Sequence, residues 1–210
     1  MRVELDNILD YVNWFKKKLK LNYYSKNAKN RIIFRGEVYY CNLGMEIGSE
    51  LQKERPCIII QNNLGNKHSP TTIVAPITNS SGIQKISVKI KPNTYKRLDK
   101  SKYLTGYIDL SQIRIVSKAR LCDKITDKLD TDTLDEMDKK TLTSLGLKNK
   151  YEKLIYERQK DKEKIKELIT ENYSLKKIKN LLDNIDLKEL ETIIIKTTKE
   201  EIALSSKDFS

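Results

Sequence analysis

Residues 35–43 read Arg-Gly-Glu-Val-Tyr-Tyr-Cys-Asn-Leu, residues 55–62 read Arg-Pro-Cys-Ile-Ile-Ile-Gln-Asn, and residues 69–78 read Ser-Pro-Thr-Thr-Ile-Val-Ala-Pro-Ile-Thr. Each segment holds a short apolar run: Val38 to Leu43, Cys57 to Ile60, and Ile73 to Ile77. Runs of this length, rich in β-branched and aromatic residues and bounded by Gly, Pro, Asn and Ser, predict strands. Polar residues stand where the strands begin and end, at Glu50, Arg55 and Thr78. A small sheet presents its chemistry at such ends.

Working outward, residues 86–90 (Ile-Ser-Val-Lys-Ile) alternate and predict a half-exposed strand, and 107–110 and 112–116 predict two more. Between them, residues 92–106 form a polar loop with Tyr95, Lys96, Arg97, Lys100, Lys102 and Tyr103. Asp132 is placed to cap a helix that carries Leu134, Met137, Thr141 and Leu145 on one face, with Gly146 as its stop. Many short strands followed by a strong helix predict an α+β domain built on a small antiparallel β-barrel. The expected division is residues 1–32 as an N-terminal helix and linker, 33–147 as the core domain, and 148–210 as a helical extension.

Upstream, Leu5, Ile8, Leu9, Val12, Phe15 and Leu19 recur at helical spacing and predict a helix over residues 3–20, with Lys16, Lys17, Lys18 and Lys20 in its last turn. The continuous apolar stripe favours docking on the sheet or on a partner subunit over a basic flap facing a ligand. Residues 21–31 read as a polar linker. Downstream, residues 151–172 predict a charged helix with a sparse apolar stripe. Ser174 is placed to cap a second helix carrying Leu175, Ile178, Leu181, Leu182 and Ile185, and Asp186 a third. The two short helices around Asn184-Ile-Asp186 faintly resemble a helix-turn-helix, but this tail carries no basic recognition face, so an oligomerisation or partner-facing appendage fits better.

The net charge is +12, and +5 of it falls on residues 1–34, +5 on 35–147 and +2 on 148–210. The excess on the first two segments points to a polyanionic partner. No apolar run approaches the ~20 residues of a bilayer span, and the acidic residues near the N-terminus interrupt any signal-peptide core, so the cytoplasm is expected and no membrane. The cysteines are Cys41, Cys57 and Cys122; no pair has C-x-x-C spacing, which speaks against a disulfide framework or a zinc site. The acidic cluster at 130–138 suits helix capping better than a metal. There is one histidine, His68, so no histidine pair can share acid and base work. No metal and no cofactor is expected.

The motifs together resemble the MazF/PemK (Kid) family of toxin endoribonucleases. They are Arg-Gly-Glu-Val-Tyr at 35–39, Gly-Ser-Glu at 48–50, Arg-Pro at 55–56, Ile-Ile-Gln-Asn at 59–62, Gly-Asn-Lys-His-Ser-Pro-Thr at 65–71 and Val-Ala-Pro-Ile-Thr at 74–78. Leu-Ser-Gln-Ile-Arg at 110–114 and Ser-Leu-Gly-Leu at 144–147 follow in order. The resemblance covers residues 33–147. It implies an SH3-like (PemK-type) barrel, a homodimer, a cognate antitoxin protein, and DNA contact only indirectly through that antitoxin. It further implies metal-independent cleavage of single-stranded RNA by its own 2′-OH, with Glu50, Arg55 and Thr78 at the matching catalytic positions. An arginine pKa of ~12.5 or above makes Arg55 a poor base, so it is assigned charge stabilisation and proton donation, Thr78 a hydroxyl donor, and Glu50 the base. Gly48 and Ser49 would shape the loop crossing the RNA, and Asn66, Lys67, His68, Gln112 and Arg114 would line its path. Residues Leu51-Gln-Lys-Glu54 depart from the Gly-rich loop common in the family. The alternatives are a non-catalytic CcdB-like gyrase-binding toxin and a degenerate interaction protein.

Overall fold

The computed structural model describes residues 5–99, 102–184 and 186–205. Lys100 and Ile185, like the first residues of the expected N-terminal helix, lie outside the described residues. The chain divides into two compact units, residues 1–151 and 152–210.

The first unit is an antiparallel sheet of seven strands: β1 (Val38–Asn42), β2 (Glu54–Ile59), β3 (Thr71–Thr78), β4 (Ser87–Lys89), β5 (Tyr107–Asp109), β6 (Arg114–Ser117) and β7 (Leu121–Thr126). The order is β4-β5-β3-β2-β1-β7, and β6 pairs with the first half of β3 while β5 pairs with its end. Both faces are covered. Val38, Ile58, Ala75 and Ile77 join one core with Val88, Ile108, Leu134 and Met137. Tyr39, Cys41, Cys57, Ile59 and Val74 join a second core with Ile33, Leu43, Val116 and Leu121. Alternate residues of one strand therefore enter opposite cores, which is why these strands read as unbroken apolar runs. Cys41 and Cys57 are fully buried, as their place in those runs implies.

β7 escapes the strand pattern. Its apolar residues Leu121 and Ile125 are four apart, and its pairing with β1 shifts register twice, so the period of two is lost. A short helix, α2 (Asn63–His68), joins β2 to β3; the Asn62 side chain caps it by accepting from the Gly65 amide at 2.7 Å.

The helix after the sheet, α3 (Thr131–Ser144), starts two residues earlier than expected. Its cap is Asp130, whose carboxylate accepts from the Thr133 amide at 2.7 Å; Asp132 lies in the first turn with its side chain exposed. Asp130 also accepts from the Tyr95 hydroxyl, which together with the Thr133 amide holds its pKa below the usual carboxylate range. Leu134 and Met137 are buried, but Leu145 is exposed. Gly146, at φ +69, ends the helix: its amide reaches the Thr143 carbonyl and that of Leu147 reaches Leu142.

The N-terminal helix, α1 (Leu5–Tyr24), runs through the expected linker and continues into a 3-10 turn at Ser25–Asn30. The lysines at 16–20 therefore sit inside it and not in its last turn. α1 also docks by the other face. Asp10 pairs with Lys53 and Lys17 with Glu54, both at 3.3 Å. Trp14 lies on Gly44, where an added Cβ would meet its ring at 3.0 Å, and under Arg120, 5.3 Å from the ring centroid. The stripe Leu5, Ile8, Val12, Phe15 and Leu19 stays exposed.

The second unit is helical. α4 (Lys148–Asp183) begins just before it and runs unbroken through Ser174, whose hydroxyl donates back to the Thr170 carbonyl instead of capping a new helix. α5 (Leu187–Ser205) follows, with Asp186 accepting from the Lys188 amide at 3.2 Å. Among the described residues no helix is long and apolar enough to cross a membrane.

Candidate active site

β2 and β3 bring Arg55 and Thr78 together. Cys57 pairs with Pro76 in their antiparallel register, and that register carried two residues further sets Arg55 opposite Thr78. Both line one concave surface of about 280 Å³, together with Glu54, Asn79, Arg97, Lys102 and Tyr103. Arg55 is half-buried, and its Nε donates to the Gln52 carbonyl at 3.0 Å, which fixes the side chain from behind and leaves the rest of the guanidinium fork for a ligand. The Thr78 hydroxyl donates to the Ser80 carbonyl at 2.6 Å. Gly106 packs directly on Thr78: a Cβ there would lie 2.4 Å from the Thr78 carbonyl oxygen, and its φ of +116 suits glycine.

Glu50 is placed elsewhere. It lines a separate concavity of about 630 Å³ with Glu46, Ser49, Gln112 and Arg114. No ion pair joins it to Arg55 among the described residues. The carboxylate that shares the surface with Arg55 and Thr78 is Glu54, which pairs with Lys17 at 3.3 Å.

Gln112 and Arg114 act on the loop that carries Glu50. The Gln112 amide donates to the Ser49 carbonyl at 3.0 Å and accepts from the Leu51 amide at 2.9 Å. Arg114 donates to Gln112 and pairs with Glu46 at 3.4 Å. These two residues clamp the loop at 46–51 while lining the same concavity as Glu50. Gly48, at φ +60, and Ser49 shape the exposed part of that loop. Asn66 is withdrawn from any RNA path. It is buried, donates to the Gln61 carbonyl at 2.9 Å and accepts from the Thr72 hydroxyl at 2.8 Å. Lys67 and His68 are exposed in the last turn of α2 and line neither concavity.

No thiol is poised as a nucleophile. Contact with Cys41 and burial hold the Cys57 thiol well above its usual pKa, and burial with the nearby Glu54 carboxylate raises Cys122 to about 11. No group of three or more His, Cys, Asp or Glu side chains suited to a metal occurs among the described residues.

The sequence held a signal for Arg97, Lys102 and Tyr103, the interleaved basic and aromatic residues of the 92–106 loop, but nothing in it said that this loop returns to Arg55. The role of Gly106 is a matter of close approach and has no signature beyond its position before a strand.

A seven-stranded antiparallel sheet with a cationic concavity at its strand ends is a fold-and-site combination suited to a phosphate-bearing ligand. The chain belongs to the PemK-like, MazF-like toxin family of type II toxin-antitoxin systems, whose model matches residues 34–145. It is 42% identical over 119 residues to Endoribonuclease EndoA of Bacillus subtilis (strain 168), covering 55% of this chain and 97% of that protein. It is 44% identical over 120 residues to Endoribonuclease MazF of Staphylococcus epidermidis, covering 56% of this chain and 95% of that protein. Among solved structures, MazF from Deinococcus radiodurans matches with a TM-score of 0.47 at 16% identity, over 55% of this chain and 98% of that one.

Proposed function

We propose that this toxin-family chain is an endoribonuclease that cuts single-stranded RNA at the concavity holding Arg55 and Thr78. The observation that carries the reading is the convergence of a fixed arginine fork, a threonine hydroxyl and further cations on one surface. The two relatives named as endoribonucleases support it over nearly their whole length.

In this reaction the 2′-oxygen attacks the adjacent phosphorus and the bond from phosphorus to the 5′-oxygen breaks. The 2′-OH proton passes to a base, and a proton reaches the leaving oxygen. The products are a 2′,3′-cyclic phosphate and a 5′-hydroxyl. Arg55 binds the phosphorane oxygens as negative charge develops and serves the leaving oxygen as donor. Thr78 adds a neutral donor by turning its hydroxyl from Ser80. Glu50 is the proton acceptor carried by the clamped loop. A second reading gives that task to Glu54, because Glu54 is the carboxylate beside Arg55. Comparing Glu50→Gln with Glu54→Gln separates the two, since loss of the base lowers kcat about 10²-fold or more.

The partners in this reading are RNA, an antitoxin protein that occludes the groove, a second copy in a homodimer, and DNA only through the antitoxin. The cytoplasm is its compartment. Residues 33–147 carry the activity, and residues 1–32 and 148–210 are additions to it. The test is a long defined RNA in EDTA with the wild type and Arg55→Ala. Discrete cuts mapped by primer extension, lost in the variant, are the expected result. An uncut RNA with folded wild-type protein would move the search to gyrase or another protein target.

A further inference from the structure

The connection from β4 to β5 folds back on itself. The Leu104 amide donates to the Tyr95 carbonyl at 2.7 Å, the Arg97 amide donates to the Lys102 carbonyl at 3.0 Å, and Lys96 pairs with Tyr103 as an antiparallel bridge. Residues 95–99 and 102–104 are thus the two arms of a small hairpin. Its base is anchored, because Tyr95 and Leu104 are buried in the core that also holds Val38 and Ile58. Its arm reaches β7 as well, with the Leu98 amide donating to the Ile125 carbonyl at 2.8 Å. A hairpin pinned at three places presents its outward side chains from a defined position, which a free loop would not.

Those side chains line the concavity of Arg55 and Thr78: Arg97, Lys102 and Tyr103. Arg97 stands over the Tyr40 ring, 5.6 Å from its centroid, and its Nη2 donates to the Tyr40 hydroxyl at 2.9 Å. Its Nε is buried and has no hydrogen-bond partner. A buried donor of this kind is unfavourable unless an acceptor reaches it. Lys102 is exposed and no ion pair neutralises it among the described residues. Tyr103 offers an accessible ring at 42% exposure. Against Arg55, Arg97 and Lys102 the surface sets one carboxylate, Glu54, already paired with Lys17. That is more positive charge than one phosphate needs.

We infer that the 95–104 hairpin is a second subsite of the RNA groove, in which Arg97 and Lys102 hold the phosphodiester next to the one cut at Arg55 and Thr78, and Tyr103 stacks on the base between them. The subsite rests on the ribonuclease reading and makes the substrate a single strand spanning at least two phosphodiesters. Cation pairs for backbone and a ring for a base are the general means of gripping single strands.

The test measures steady-state cutting of the long RNA at several salt concentrations by wild type, Lys102→Ala, Tyr103→Leu and, as a control for net charge, Lys139→Ala on the exposed face of α3. Circular dichroism checks that each variant is folded. Lys102→Ala is expected to raise KM about tenfold with kcat nearly unchanged and to lower the slope of log(1/KM) on log[salt] by about 0.7, the loss of one phosphate contact to a single strand. Tyr103→Leu is expected to raise KM about tenfold without changing that slope. Wild-type values of KM and slope in Lys102→Ala and Tyr103→Leu, with the wild type cutting normally, would overturn the subsite and leave the nuclease standing. An equal loss in Lys139→Ala would overturn it as a mere effect of net charge. Failure of the wild type itself to cut would overturn the ribonuclease reading and the subsite with it.

Discussion

In the proposed reaction, Arg55 and Thr78 divide the phosphate between a permanent charge and a neutral donor. Removing the neutral one, in Thr78→Ala, is expected to lower kcat about 10²-fold with little change in KM, because a donor aimed at developing charge acts mainly in the transition state. Arg55→Lys keeps the charge but not the fork, and single-turnover rates should fall by about 10–100-fold. Gly106 belongs with this pair although it bears no functional group. An alanine there would press on the Thr78 carbonyl at 2.4 Å, so Gly106→Ala is expected to cost about 1–3 kcal/mol in thermal unfolding and to lower cutting with it. At this scale the sequence was partly legible. Arg55 and Thr78 were marked by polar character at the ends of apolar runs. Asn66 was misread because a polar residue in a Gly-Asn-Lys-His stretch looks exposed, whereas here it is buried and bonds both Thr72 of β3 and the Gln61 carbonyl just before α2. Gln112 and Arg114 were drawn to the right region, and the structure adds a task the sequence does not show, holding the loop that carries Glu50.

At the level of elements, unbroken strand-length apolar runs foretold β1 to β3, which are buried on both faces, and amphipathic pattern foretold α3, which buries one. It failed for β7, where register shifts break the period, and for α1, whose docking face is the polar and aromatic one. Continuous apolar spacing shows that a helix has a face to bury but not which element will cover it. The start of α3 gives a test with a sign. Asp130 is held below the usual carboxylate pKa by Tyr95 and the Thr133 amide, so its contribution is present above the unfolded value near ~3.9 and is lost as pH falls below it toward the folded value. Asp130→Ala is expected to lower stability by about 1–2 kcal/mol at pH 7, and its deficit relative to wild type should shrink in denaturation curves taken below about pH 4. Asp132→Ala, exposed in the first turn, should change stability by no more than about 0.5 kcal/mol.

Across the whole molecule, +5 of the +12 net charge falls on residues 35–147, which hold the family region, and another +5 on residues 1–34, while residues 152–210 form a compact unit of their own. A chain ending at Tyr151 is expected to unfold cooperatively and to keep a cutting rate within about threefold of the full chain, measured on the same RNA, since compact units of this kind fold on their own cores. The class of the fold and the region of the site were readable because strand-length apolar runs and their polar ends are local features. The meeting of β2, β3 and the 95–104 hairpin at one surface is a long-range fact that no local pattern carries.

The central claim is that the RNA supplies its own nucleophile at the Arg55–Thr78 surface. The most direct measurement takes an RNA containing one mapped cut site and replaces the single nucleotide before the scissile bond by its 2′-deoxy form, with end groups read by mass spectrometry. The account predicts cutting of the all-ribose strand to a 2′,3′-cyclic phosphate and a 5′-hydroxyl, and no cutting at the 2′-deoxy position. Cutting at that position, or products with a 5′-phosphate, would contradict it.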